Sequence, residues 1–413
     1  MSIIYPFAGL RPQSNRAADI AGPPYDVLSS SEARQRARGR PWSFLHITKP
    51  EIDLPEDIDP YNPEVYNKGA ENFQRMQDEG LLIRDKTPCY YLYSMIMGGH
   101  TQTGIVAAAS VAAYDSNRIH KHEFTRPDKE EDRVRHIDVL NAQTGPVLLS
   151  CRQSIELDAL LKELSQTAAD VDITLEHGVR HVLRVINDRD DINRISECFK
   201  YVGDLYIADG HHRSAAASRI ASMRQVCNTG QTGEEAHNFF LAVIFPVNQL
   251  QIMDYNRVVR DLNGLSPQTF RHAVSKSFLL EDSTLPVKPT GPGEFGMYLD
   301  GRWVRLQIKT GLVPADDPVA GLDASLLSEH LLGPVLKIYD LRRDKRIEFV
   351  GGIRGLSELE RRVDSGEMAV AFSLFPTRME DVMAVADAGE VMPPKSTWFE
   401  PKLADGLVAH ILD

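Results

Sequence analysis

The sequence predicts an α+β protein built from mixed sheets with antiparallel hairpins. Two apolar runs, CYYLYSMIM and TGIVAAASVAAY, flank Gly98-Gly99, and a second pair within GMYLDGRWVRLQI meets at Asp300-Gly301. Short joints of this kind between strand-like runs signal β-hairpins, and hairpins imply antiparallel sheet. Helical and strand-like stretches also intermix along the whole chain.

Taken in order, Lys49 to Glu64 is acidic, carries four prolines and reads as an exposed loop. Tyr66 to Glu79 reads as a helix stopped at Gly80, where a C-cap belongs. The first hairpin follows. After Ala142 two helical stretches are expected, then a short buried strand at Val182 to Ile186. Asp191 to Tyr201 is amphipathic and helical. Leu205 to Ala208 is apolar, is bounded by Asp209-Gly210 and reads as a buried strand. Ala215 to Cys227, alanine-rich and free of Gly and Pro, reads as a helix. Phe239 to Phe245 is another buried strand, and PVKPTGPG at Pro286 to Gly293 is a linker or long surface loop. Beyond the second hairpin come helices near Ser325 to Leu332 and Leu356 to Val363, then a strand at Met368 to Leu374. The expected division is a part at 1–245 and an α+β part at 246–413.

Composition narrows the function. The chain has 413 residues, 42% hydrophobic and 25% charged, which excludes disorder, a collagen-like chain and a disulfide scaffold. Its 46 basic and 58 acidic residues give a formal charge of −12, which repels phosphate backbones and anionic lipid. A general nucleic-acid binder is therefore not expected. Cys89, Cys151, Cys198 and Cys227 form no CxxC pair, so neither a zinc ribbon nor a redox dithiol is indicated. No signal-peptide pattern and no run of 18 apolar residues is present. The expectation is a soluble, cytoplasmic protein with no membrane partner.

The sharpest motif is IADGHHRSAAASRI, Ile207 to Ile220. An apolar strand runs through Asp209 into Gly210, then His211, His212 and Arg213 at the start of a helix. Gly210 allows a tight turn and close approach of a ligand. The helix start offers free N–H groups and a positive dipole end, and Arg213 adds a guanidinium fork suited to phosphate. The pattern reads as a phosphate cradle; a plain capped helix is the structural alternative.

A second constellation is IHKHEFTRPDKEEDRVRHI, Ile119 to Ile137. Strand alternation would place His120 and His122 on one face, where with Asp209 they are candidate metal ligands. Glu123 is a candidate general base, with Asp26 and Asp209 as rivals. Near the end of the sequence, VMPPKSTWFEPKLADGL presents Lys395, Ser396 and Thr397 on a proline-stiffened turn suited to phosphate or carboxylate. Gly22-Pro23-Pro24-Tyr25-Asp26-Val27 presents Tyr25 and Asp26 in the same way.

PPYDV, HKHEFT, ADGHHR and MPPKSTWFEPK together resemble a bacterial and archaeal family of unknown function, the domain-of-unknown-function family numbered 1015. The resemblance runs along almost the whole chain. The Asp-Gly-His-His-Arg loop is also similar to the phosphate-binding loop of the ParB/sulfiredoxin-like fold, which includes free-serine kinases. That resemblance implies a ParB/sulfiredoxin-like nucleotide-binding part within 1–245, with Gly210, His211, His212 and Arg213 on nucleotide phosphates. Sulfiredoxins carry a catalytic cysteine where this chain has His211, which argues against sulfinic-acid reduction. ParB proteins need a basic DNA-binding domain that this acidic chain lacks. The free-serine kinases use a glutamate as base, a role for which Glu123 is the candidate here, with His122 beside it holding substrate or metal. The resemblance also nudges the acceptor towards serine metabolism.

Three functions stay open on these residues. One is a nucleotide-dependent phosphotransferase using Mg2+ and ATP or ADP on a small hydroxylated acid, with free serine a candidate. The second is metal-dependent phosphoester hydrolysis through His120, His122 and Asp209. The third is a non-enzymatic nucleotide-binding regulator. Lys395, Ser396, Thr397, Tyr25 and Asp26 are expected to contact the small substrate.

Overall fold

Both expected hairpins form. Met97 pairs with His100 across Gly98-Gly99, and Leu299 pairs with Arg302 across Asp300-Gly301, whose φ values of 50° and 71° are those a two-residue primed turn requires. The computed structural model describes residues 2–175, 178–227, 232–314 and 316–413. The chain is a mixed α+β protein of two compact units, the first comprising Met1–Leu250 with Pro401–Asp413 and the second Gln251–Glu400.

In the first unit, nine strands among the described residues form one sheet. Its path runs Ile119–His120, Leu205–Asp209, Val147–Cys151, Phe239–Pro246, His100–Ser110, Tyr90–Met97, Arg180–Ile186 and Val171–Thr174, with Ile4–Tyr5 also paired to His100–Ser110. Two pairings are parallel, Leu205–Asp209 with Ile119–His120 and Phe239–Pro246 with Val147–Cys151; the others are antiparallel. Alternate residues Ile105, Ala107 and Ala109 face one core with Leu157 and Leu161 of helix Ile155–Leu164 and Phe199 of helix Arg189–Tyr201.

Helix His211–Cys227 is buried on two sides. Ala217 and Ala221 join the sheet core, while Ala216 and Ile220 pack with Val134 and Ile137 of helix Pro127–Leu140. Small side chains let its backbone approach both neighbours. Residues 401–413 complete this unit: Gly22 and Asp405 form a bridge, Leu10 and Ala409 form another, and His410–Ile411 pairs with Ala142–Gln143.

Several sequence readings are corrected. Among the described residues between Ala142 and Val182 the one α-helix is Ile155–Leu164, accompanied by strands Ala142–Gln143, Val147–Cys151 and Val171–Thr174. Short apolar runs such as VLLSC have no period of their own, so pairing in the sheet decides them. The Lys49–Glu64 segment is not wholly exposed. Pro50–Asp53 forms a 3-10 turn with Pro50, Glu51 and Ile52 buried, tied by Arg34 donating to the carbonyls of Glu51, Ile52 and Leu54. The helix expected from Ala215 begins at His211. No helix among the described residues is long and apolar enough to cross a membrane.

The second unit centres on a six-stranded antiparallel sheet in the order Phe278–Ser283, Arg302–Ile308, Glu294–Leu299, Val370–Leu374, Tyr255–Val259 and Ile347–Gly351. Pro286–Gly293 is a loop inside this unit, joining two of its strands.

Candidate functional site

The strand–glycine–helix corner is where the chemistry-bearing residues of the first unit gather. Leu205–Asp209 ends at Asp209, and Gly210 turns the chain with φ 104° into helix His211–Cys227. A side chain at Gly210 would be strained, and its Cβ would lie 3.1 Å from Arg213 Nε, so only glycine lets the turn close over this guanidinium. The first helical bonds run from Arg213 N and Ser214 N to Gly210 O, at 2.9 and 3.0 Å. The N–H groups of His211 and His212 precede those bonds, at the positive end of a 17-residue helix.

Charge is distributed around that corner in a definite order. Lys402 Nζ donates to Asp209 Oδ2 at 3.0 Å. Arg213 is turned inward: it donates to the Pro146 carbonyl, and its Nη2 lies 3.8 Å from Asp209 and 3.9 Å from Asp26. Burial opposes ionisation of Asp209, yet Lys402 and Arg213 outweigh it and hold the carboxyl well below the ordinary range. For Arg213 burial favours the neutral form, but Asp26 and Asp209 prevail and keep it charged.

The Gly22–Asp405 bridge brings the PPYDV turn to the same place. Tyr25 packs its ring 3.9 Å from the Arg133 guanidinium carbon, and burial pushes its hydroxyl up to about 12. Arg133 in turn pairs with Asp132, which also accepts from Tyr66 Oη at 2.9 Å. Asp405 itself is 1% exposed, and neither carboxylate oxygen has a hydrogen-bond partner among the described residues. A cavity of water-molecule size lies beside it, lined by Tyr25, Arg133, His136, Thr144 and Arg213.

The HKHEFTR segment lies against the helix start. His122 is buried, meets the His211 ring edge-on at 4.5 Å, and is held neutral by burial, its value near 4. Glu123 Oε2 is 3.9 Å from His211 Nδ1 and its side chain is half exposed. The backbone N–H groups of His122 and Arg126 donate to His211 Nε2 and His212 Nε2.

Sequence reasoning placed Tyr25, Asp26, His122, Glu123, Asp209, Gly210, His211, His212 and Arg213 at a site, and the first unit brings these together. It does not bring His120 into the group. The Ile119–His120 strand ends at His120, so the alternation that would align it with His122 stops there. His120 instead stacks on Tyr206 and pairs with Asp204 at 3.2 Å. Among the described residues no group of three or more His, Cys, Asp or Glu has the arrangement of a metal site. The oxygen donors at the corner that suit a hard cation such as Mg2+ are Asp26, Asp209 and Glu123.

Lys395, Ser396 and Thr397 belong to the second unit. Lys395 is exposed at φ 60°, and its carbonyl accepts from Arg257 Nη2 at 3.0 Å. Ser396 is buried with its hydroxyl donating to Pro393 O at 2.7 Å, so it braces the turn. Lys402 and Asp405 were missed by the sequence reading. Both stand in the quoted EPKLADG run, and the alternation of charges with Pro and Gly there was the available signal.

Fold and site together define a two-unit α+β protein with a charged strand–glycine–helix corner. The chain belongs to the family described as "Protein of unknown function (DUF1015)", whose model matches residues 4–325. No curated protein is matched. Similar solved structures include a conserved hypothetical protein from Pyrococcus furiosus, at 13% identity and TM-score 0.34, covering 75% of this chain and 96% of that one. A free serine kinase in complex with AMP is similar at 12% identity and TM-score 0.35, covering 73% and 92%. SbnI with a C-terminal truncation, from Staphylococcus aureus, is similar at 12% identity and TM-score 0.34, covering 73% and 85%.

Proposed function

We propose that this protein is a nucleotide-dependent phosphotransferase that acts on a small hydroxylated acid, with free serine the first acceptor to test. One observation carries the reading: the same corner joins a helix N-terminus behind Gly210, the cations Lys402 and Arg213, and a half-exposed carboxylate, Glu123. Phosphoryl transfer depends mostly on positioning and charge neutralisation, and these are the groups it requires.

In this reading the nucleotide phosphates rest on the N–H groups of His211 and His212. Arg213 acts from beneath Gly210 through its field. Asp209 or Asp26 would hold Mg2+ beside the phosphates, where the ion would supply neutralisation of their charge. Tyr25 and Asp26 are the candidate contacts of the acceptor. Glu123 takes the proton of the acceptor hydroxyl while its oxygen bonds to the terminal phosphorus and the bond to the leaving nucleotide oxygen breaks. ATP would leave as ADP, and ADP as AMP.

The test is phosphoryl transfer from ATP and from ADP to serine and other small hydroxy acids. Glu123→Gln keeps the shape and removes the base, so turnover should fall by about 10²–10⁴-fold with nucleotide affinity retained. Wild-type protein that binds nucleotide in calorimetry and transfers phosphate to no acceptor would replace this reading with that of a nucleotide-binding regulator.

A further inference from the structure

The two imidazoles that follow Gly210 are engaged by one neighbouring segment. His122 N–H donates to His211 Nε2 at 3.4 Å, and Arg126 N–H donates to His212 Nε2 at 3.0 Å. An imidazole nitrogen that accepts a hydrogen bond carries no proton, so each neutral ring has its proton on Nδ1. On His211 that places Nδ1–H on the side of Glu123, whose Oε2 is 3.9 Å away. Burial favours the neutral form of both rings. The charged and titratable groups around His211 are His122, Asp209, His212, Arg213 and Glu123, and those around His212 are Arg126, Glu130, Asp128 and Asp26.

Between the two anchored amides lie Glu123, Phe124 and Thr125, outside any helix or strand. Phe124 is 70% exposed and gives this stretch no core anchor. Thr125 Oγ1 adds one further tie, to Glu130 at 2.7 Å. A half-exposed carboxylate on such a stretch keeps a fixed position only if the backbone on both sides of it is held. The histidines supply that hold at residues 122 and 126.

The geometry points to His211 and His212 as positioning residues: neutral Nδ1–H imidazoles that clamp segment 122–126 to the helix start and so fix the Glu123 carboxylate. This deepens the phosphotransferase reading and rests on it for its kinetic consequence alone. It also changes the role expected of the rings, because a nitrogen accepting from the protein backbone is not a donor to phosphate. Their backbone N–H groups keep that role.

Two measurements on the full chain test the clamp without using activity. Long-range proton–nitrogen NMR on the protein labelled at histidine should show both rings with Nδ1 protonated and Nε2 unprotonated near neutral pH. Hydrogen exchange of the peptide spanning 121–127 should quicken by about three- to tenfold in His212→Leu, the scale of one lost hydrogen bond. His212→Gln, which keeps an acceptor oxygen, should hold exchange close to wild type. An Nε2–H tautomer on either ring, or unchanged exchange in His212→Leu, would overturn the clamp. A clamp seen by both methods in a protein that transfers phosphate to no acceptor supports the clamp and removes only the phosphotransferase reading.

Discussion

Asp405→Asn offers the most direct probe of the charge buried at the corner. The carboxyl is 1% exposed, and the Tyr25 N–H approaches it without reaching hydrogen-bond geometry. Burial raises it to about 7 despite the nearby Arg213. In the unfolded chain the same carboxyl titrates near ~3.9. Below that pH both states are protonated and the group has no effect on stability. As pH rises from about 4 towards 7 the unfolded chain loses its proton first, so the folded state is progressively disfavoured; above about 7 the penalty is constant. The gap corresponds to about 4 kcal/mol. Asparagine has the same outline and cannot ionise. The stability of Asp405→Asn relative to wild type should therefore climb by a few kcal/mol, up to about 4, across this window. Urea unfolding followed by circular dichroism at several pH values between 4 and 8 reads the difference. Curves that stay parallel for the two proteins would refute the argument that Asp405 is buried without compensation.

Gly210→Ala puts a Cβ at φ 104° against Arg213, and should destabilise by about 1–3 kcal/mol; a melting curve like that of wild type would show that the turn relaxes. Lys402→Met removes the 3.0 Å bond to Asp209, and because both side chains are a quarter to a third exposed the loss should be about 1 kcal/mol. Asp209 is a depressed carboxyl, so it stabilises above its unfolded value and that contribution is lost as pH falls. The acid limb of the variant's stability curve should accordingly move to higher pH, and an unmoved limb would contradict the pairing. Arg213→Ala leaves the Pro146 carbonyl unpaired and Asp405 near an empty volume, at a cost of about 3–5 kcal/mol in urea unfolding; a loss well under that would mean the guanidinium is more solvated than its position implies.

Local sequence made the hairpins legible because a two-residue turn and its flanking runs are contiguous. The same holds for helix Pro63–Asp78, stopped by Gly80 at φ 69°. The site was legible in part, for the same reason: strand, glycine and helix stand in a row in IADGHHR. The alanine-rich pattern begins only at Ala215, yet the helix begins four residues earlier, at His211, its first bonds closing on the Gly210 carbonyl. VLLSC and VDIT did not look like strands because their partners, Phe239–Pro246 and Arg180–Ile186, supply the hydrogen bonds. Lys402 and Asp405 carry only the weak local signal of the EPKLADG run, since nothing near them in sequence announces their partners Asp209 and Gly22. His120 was misplaced by assuming that alternation persisted through His122.

The pairing of Asp209 with Lys402 spans 193 residues, and the entire second unit is made between them. On the ribosome, at about 5–20 residues per second, the DGHHR loop therefore exists for about 10–40 s before its lysine does. During that interval Asp209 lacks its main counter-charge, Gly22 lacks its bridge to Asp405 and Leu10 lacks Ala409. A nascent or prematurely released chain carries every residue of the loop but not the corner that gives the loop its charge balance. A chain that has not passed residue 409 therefore lacks the late partners of Asp209, Gly22 and Leu10.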